Sequence, residues 1–181
     1  METRVTQAFA ELRDGSSVRF VASFIAWLTG FAVLFETGRA AWVHLYMVPL
    51  TRVTQVGLGL FGLPAKLVMP DAGAGFCLLQ VGQFVYQVTF ECTGIFALFL
   101  CAASILAFPV SVSSRLQGLL VVIPAFISYS VMRLIVLGLV AHWSPSHIDL
   151  FHLYIMVVAN VGFVLAMWLY WLRDVAQVRL P

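Results

Sequence analysis

Cys92 stands in the stretch Val88-Thr89-Phe90-Glu91-Cys92-Thr93-Gly94-Ile95-Phe96, where a polar segment gives way to an apolar run ending at Phe108-Pro109. A thiol at such a junction sits at a membrane surface, within reach of water and of a second substrate. If a helix opens here, its unpaired N–H groups and its dipole favour the thiolate, the nucleophilic form of cysteine. Gly94 lets a substrate carbonyl come close to the backbone, where free N–H groups can serve as oxyanion donors. Two later residues can converge on this thiol. Arg133, in Ser130-Val131-Met132-Arg133-Leu134-Ile135, falls inside an apolar run. An arginine within a span costs about 2.5–3.5 kcal/mol on insertion scales, so it normally faces a partner or a wet cavity; snorkelling to the interface is the plainer alternative. Tyr129 and Ser130, one turn earlier, are placed to orient its guanidinium. His152 opens the last apolar run, in Ile148-Asp149-Leu150-Phe151-His152-Leu153-Tyr154. Asp149, three residues before it, is a candidate orienting carboxylate. Cysteine, arginine and histidine in this order read as a membrane-embedded thiol acyltransferase or protease.

The remaining reactive residues carry less. Cys101 lies among Leu100, Ala102 and Ala103 and reads as packing, whereas Cys77 is ambiguous. No C-x-x-C spacing points to a zinc site or a redox dithiol. A disulfide between Cys77 and Cys92 stays open if both face an oxidising compartment. His142 and His147 read as ordinary loop residues, and no acidic cluster supports a three-histidine metal site with His152. Asn160 reads as interhelical glue. No cofactor or metal is implied.

Positioning these residues falls to apolar helices. The chain has 181 residues, 62% hydrophobic and 10% charged, with a mean hydropathy of +0.99. Soluble domains carry about 25% charged residues, so this is an integral membrane protein. The net charge of +2 is spread in patches and gives no support for nucleic-acid binding. Runs of roughly 20 apolar residues span a bilayer. That rule predicts an all-α membrane fold with about four spans, at 18–35, 93–112, 116–140 and 150–172. Polar residues crowd 36–63, so an interfacial amphipathic helix is expected there, with Trp42 and Tyr46 at headgroup level. Met69 to Gly75 is turn chemistry. Phe76 to Gln80 and Gln83 to Thr89 then flank Val81-Gly82 as a small extracytoplasmic hairpin or three-stranded patch. The expected organisation is a cytoplasmic segment 1–19, a membrane domain 20–175 with an extracytoplasmic insert 37–90, and a cytoplasmic tail 176–181. Gly38-Arg39-Ala40 faintly resembles a cleavage site, but the charged leader and long apolar run favour an uncleaved signal anchor. Arg4, Arg13, Arg19, Arg115, Arg173 and Arg179 collect on the side of the termini, against Arg39, Arg52 and Lys66 opposite. The positive-inside rule then puts the termini in the cytoplasm and Cys92 outside.

Glu91-Cys92-Thr93-Gly94-Ile95, the span ending at Phe108-Pro109, Arg133-Leu134-Ile135 and Phe151-His152-Leu153-Tyr154 together resemble the exosortase and archaeosortase family of membrane cysteine transpeptidases. The likeness is closest to its short members of the exosortase H type, and it covers roughly residues 35–174. It implies Cys92 as nucleophile, Arg133 as the essential arginine and His152 as the third member. The implied reaction cuts the C-terminal sorting signal of an exported protein (short motif, transmembrane helix, basic tail) and transfers the protein to an acceptor. The implied partners are such exported proteins, an acceptor not named by the sequence, and membrane lipid. The place is the cell (inner) membrane, with the site on its extracytoplasmic face. A rival from another class is a non-catalytic assembly or accessory subunit of an export or surface-polysaccharide system, with Arg133 pairing to a partner helix.

Overall fold

A computed structural model describes residues 17–68 and 75–176. The leader through residue 16, most of the expected turn segment and the last five residues lie outside the described residues.

The first apolar run is α1 (Ser17–Thr37). It stops where the Thr37 hydroxyl turns back onto the Val33 carbonyl at 2.7 Å and Gly38 follows. An interrupted helix comes next: α2 (Arg39–Trp42), a π-helical turn (Val43–Met47) and α3 (Val48–Leu60). Three strands, β1 (Ala65–Val68), β2 (Cys77–Val81) and β3 (Phe84–Val88), form an antiparallel sheet in that order. Ala65 pairs with Val81, and Cys77 with Val88. Val81 also faces Phe84 across a two-residue turn, whose Gly82 has a φ of 59° that L side chains disfavour. Cys77, Leu79 and Val81 alternate into the core, as a strand period of two requires.

β3 delivers the chain to α4 (Phe90–Thr93), a single helical turn. Gly94, at φ 71°, separates α4 from α5 (Ile95–Ala107). Phe108 is extended before Pro109, which ends α5. Ser111 then caps α6 (Val112–Trp143), accepting from the Ser114 amide at 3.2 Å. A 3₁₀ turn (Pro145–His147), α7 (Ile148–Leu150), a π-helical turn (Phe151–Ile155), α8 (Met156–Tyr170) and a final π-helical segment (Trp171–Ala176) complete the described chain.

Aromatic contacts define two ends of the bundle. At one, Phe108 meets Phe20 at 6.1 Å and Trp171 at 5.5 Å, and the Trp171 indole donates to the Ser114 carbonyl at 3.3 Å. At the other, Phe35 meets Phe90 at 4.8 Å and Phe96 at 5.1 Å, while the Ser130 hydroxyl donates to the Thr93 carbonyl at 2.6 Å. α1 and α6 therefore run from the first end to the second, and α5 and α8 run back. α6 continues past the second end, where α3 and the sheet cover it. The Tyr86 hydroxyl donates to the Leu134 carbonyl at 3.3 Å, and Gly138 leaves room for Leu58 and Tyr86.

Among the described residues, three helical runs are long and apolar enough to cross a bilayer: Ser17–Thr37, Val112–Trp143 and Pro145–Arg173. The fourth expected span is shorter than its apolar sequence suggested. Gly94 and Phe108-Pro109 trim it to the 13 residues of α5, about 20 Å against a hydrocarbon core of about 30 Å. The expected interfacial helix also differs. α2 and α3 exist, but Met47, Leu50, Thr51, Thr54 and Leu58 are buried in the protein core. Tyr46, expected at headgroup level, is half-buried and bonds inward. The buried hydroxyls of Thr51 and Thr54 bond the Met47 and Leu50 carbonyls at 2.8 and 3.0 Å, which makes their burial tolerable. The small sheet has all three strands.

A candidate thiol site at one end of the bundle

Thr89 is the extended residue before α4, and its backbone carbonyl accepts from the Cys92 amide at 3.1 Å. This single turn folds the Cys92 side chain back so that its sulfur lies 3.4 Å from the Thr89 hydroxyl. Cys92 is 5% exposed. Its second polar neighbour is His152, whose Nε2 stands 3.7 Å from Sγ. The two residues come from opposite parts of the chain, and the π-helical turn Phe151–Ile155 holds the imidazole in place. Such insertions recur at functional positions because they swing a side chain off the regular α spacing.

Arg133 lies in the same layer. Ser130, one turn earlier on α6, bonds the carbonyl of Thr93, the residue next to Cys92. Arg133 is 8% exposed, has no ion-pair partner among the described residues, and lies close enough to His152 and Tyr129 for its charge to act on both. A buried guanidinium without a carboxylate is an uncompensated charge, available to an anion.

Gly94 makes this close convergence possible. Its α-carbon faces Ser130 Oγ and Asn160 Oδ1, which a Cβ would meet at 3.6 and 3.7 Å, and its φ of 71° already disfavours any side chain. The Thr93 carbonyl beside it accepts from Tyr46 as well, at 3.1 Å. Burial pushes the Tyr46 phenol above its ordinary pKa, so it stays a donor at neutral pH. Tyr86 is likewise pushed up, by burial first and then by charge on nearby Cys92. Glu91, next to Cys92 in sequence, is exposed. Hydrogen bonds from the Thr89 hydroxyl and its own amide, with help from Arg39, hold its carboxyl below the ordinary range.

The three residues singled out from sequence thus share one end of the bundle, but their expected supports differ. Asp149 is exposed and makes no hydrogen bond to His152, whose Nδ1 is buried without a partner. The Ser130 hydroxyl is engaged with the Thr93 and Phe126 carbonyls, and Tyr129 stacks on Phe163 at 4.1 Å with its own hydroxyl unpartnered, so neither holds the Arg133 guanidinium by a hydrogen bond. Nor does Cys92 open a long helix, since α4 ends one residue later and Gly94 breaks the path to α5. Cys77, Cys92 and Cys101 are all free and buried, so the disulfide left open between the first two is not formed. His147 bonds Ser144 Oγ at 2.7 Å, away from Cys92, and His142 lies against Gly82. No group of three or more His, Cys, Asp or Glu converges among the described residues. Tyr46, Thr89 and Asn160 are contacts that periodicity does not reveal: the first sits in a π-helical turn, the second reaches Cys92 through the single turn that it precedes, and the third touches the site only through tertiary structure.

Comparison with protein-family models, with curated proteins and with solved structures gives no match.

Proposed function

We propose that this protein is a membrane-embedded cysteine transpeptidase or protease of the exosortase and archaeosortase type, acting on exported proteins that carry a C-terminal sorting signal. The observation that carries this reading is the 3.7 Å approach of Cys92 Sγ to His152 Nε2, with Arg133 buried beside them. His152 takes the thiol proton, and Sγ attacks the scissile carbonyl carbon to form an S–C bond. The negative charge that develops on the carbonyl oxygen is balanced by Arg133. The C–N bond then breaks, the imidazolium gives its proton to the leaving amine, and the exported protein is held as a thioester. An amine, a glycan hydroxyl or water next loses its proton to His152 and displaces Sγ, which regenerates the enzyme.

In this reading α1, α5, α6 and α8 all cross the membrane. Arg19, Arg115 and Arg173 belong to the bundle end opposite Cys92, so the positive-inside rule puts that end in the cytoplasm. Cys92 then faces the extracytoplasmic side of the cell (inner) membrane, where acceptors reside. The test is co-expression with an exported protein ending in a short motif, an apolar helix and a basic tail. Loss of that helix in parental cells but not with Cys92→Ala is expected. Helix removal that persists in Cys92→Ala contradicts the proposal.

A further inference from the structure

Between α1 and α8 the bundle is open. A cleft of about 560 Å³ lies there, floored by Phe96 and Leu100 of α5 and walled by Leu28 and Phe31 of α1 and by Val161 and Leu165 of α8. Its lining is apolar except for Glu36 and Asn160. Both mark the Cys92 end, since Asn160 lies against Gly94 and Glu36 follows Phe35, which contacts Phe90 and Phe96.

We propose that this cleft docks the transmembrane helix of the substrate, laid along α5 with its N-terminus at the Cys92 end. This rests on the peptidase reading above and adds where, and in which direction, the substrate's membrane segment lies. Four observations favour a helix over another occupant. Phe96 and Leu100 stand one turn apart on one face of α5, so their row presents a ridge to an incoming helix. Ala32 and Ala97, also in the lining, let a second backbone come close. Glu36 makes no ion pair among the described residues, and a carboxylate at that end complements the positive N-terminal end of a helix dipole. The Asn160 Oδ1 atom is buried without a hydrogen-bond partner. An amide in an apolar wall is costly unless it bonds, and it carries both donor and acceptor for a polar group of the docked helix. An acyl chain would fill the apolar floor but would use neither Glu36 nor Asn160. With this direction, the residues that precede the docked helix pass over Gly94 and reach Cys92.

The test uses the full chain in phosphatidylcholine vesicles with a synthetic transmembrane peptide as probe: a Leu/Ala helix of about twenty residues with a serine in its first turn for Asn160, a basic C-terminal tail and no cleavable motif. The photo-crosslinker benzoylphenylalanine is placed at Phe96, at Leu165 or, outside the cleft, at Leu120. Crosslinking to the peptide from within the cleft is expected to exceed that from Leu120 by roughly tenfold, and Asn160→Leu to lower it about threefold. Adducts from Phe96 should map closer to the N-terminus of the peptide than those from Leu165. Ala32→Trp, at an exposed position, should fill the cleft and abolish the excess. Equal yields from all three positions, reversed mapping, or adducts with lipid alone from the cleft positions would overturn the proposal. Because the probe is not cleaved, the two readings fail separately. Absent cleft crosslinking with Cys92-dependent cleavage intact rejects the docking site alone, whereas specific crosslinking without Cys92-dependent cleavage of any candidate protein rejects the peptidase.

Discussion

At one end of the bundle Trp171 is fully buried between Phe108 and the start of α6, its indole N–H satisfied by the Ser114 carbonyl. Gly118 is there because nothing larger fits: a Cβ would collide with the indole. At the other end Cys92, Arg133 and His152 meet among Thr89, Ser130 and Asn160, and His152 Nδ1, Tyr129 Oη and Asn160 Oδ1 lack partners. Unpartnered atoms are not peculiar to that end, because Arg115 Nε and Trp168 Nε1 lack partners too. What distinguishes the Cys92 end is that its polar groups come from several elements and surround a thiol. A buried polar group without a partner costs about 1–3 kcal/mol. The Trp171 end gains stability from close packing, while the Cys92 end gathers polar side chains from several elements around one thiol.

The two ends should therefore respond differently to substitution. The largest effect is expected from His152→Ala, which removes the proposed base and should slow substrate cleavage by about 10² to 10⁴-fold. Protein abundance, measured in the same cells, should stay near parental; cleavage at the parental rate would remove His152 from the chemistry. Arg133→Lys keeps a positive charge on a long stem but loses the planar fork of donors. Cleavage should fall by about 10² to 10³-fold, in line with the loss of an oxyanion donor. An abundant Lys variant with near-parental cleavage would make Arg133 part of the scaffold. At the opposite end Trp171→Ala should cost about 3–5 kcal/mol of stability, read as a lower unfolding midpoint in detergent. Activity per folded molecule should hardly change, and a selective loss of activity there would erase the distinction between the ends.

The smallest effect belongs to Glu91. Its folded-state pKa lies below the ordinary 4.5, so the ionised carboxylate contributes stability above that pH and loses it as pH falls through the lowered value. The side chain is exposed, so screening keeps the contribution small. Melting curves of parental protein and Glu91→Gln should differ slightly at pH 7 and converge in acid; a gap that persists at low pH would point to a different role.

The long helices are legible in the sequence because a bilayer imposes one length and one composition. Ser17–Thr37, Val112–Trp143 and the run from Pro145 to Arg173 follow their apolar stretches to within a few residues at most ends. The meeting of Cys92 with His152 is legible for a related reason: polar residues at the ends of neighbouring apolar runs are brought together when those runs pack side by side. Other features depend on interruptions that hydropathy does not register. Gly94 shortens α5 through its backbone conformation, although its neighbours are as apolar as those of a full span. The π-helical turns that place Tyr46 and His152 come from packing and shift side chains off the α period. The helix 39–60 carries His44, Arg52 and Gln55 and so reads as interfacial, yet its opposite face is buried against α6 and the sheet. Asp149 is well spaced to orient His152 only if the helix is regular through both residues, and the π-helical turn begins between them.

The central claim is that His152 activates Cys92, and it can be tested without knowing the substrate. In a Cys77→Ala, Cys101→Ala background, the rate of Cys92 alkylation by iodoacetamide at neutral pH can be measured by mass spectrometry, with and without His152→Ala. Because the thiolate is the reacting species, the protein that retains His152 should react faster by roughly tenfold or more. Equal rates, with a denatured control showing the thiol intact in both, would contradict the account.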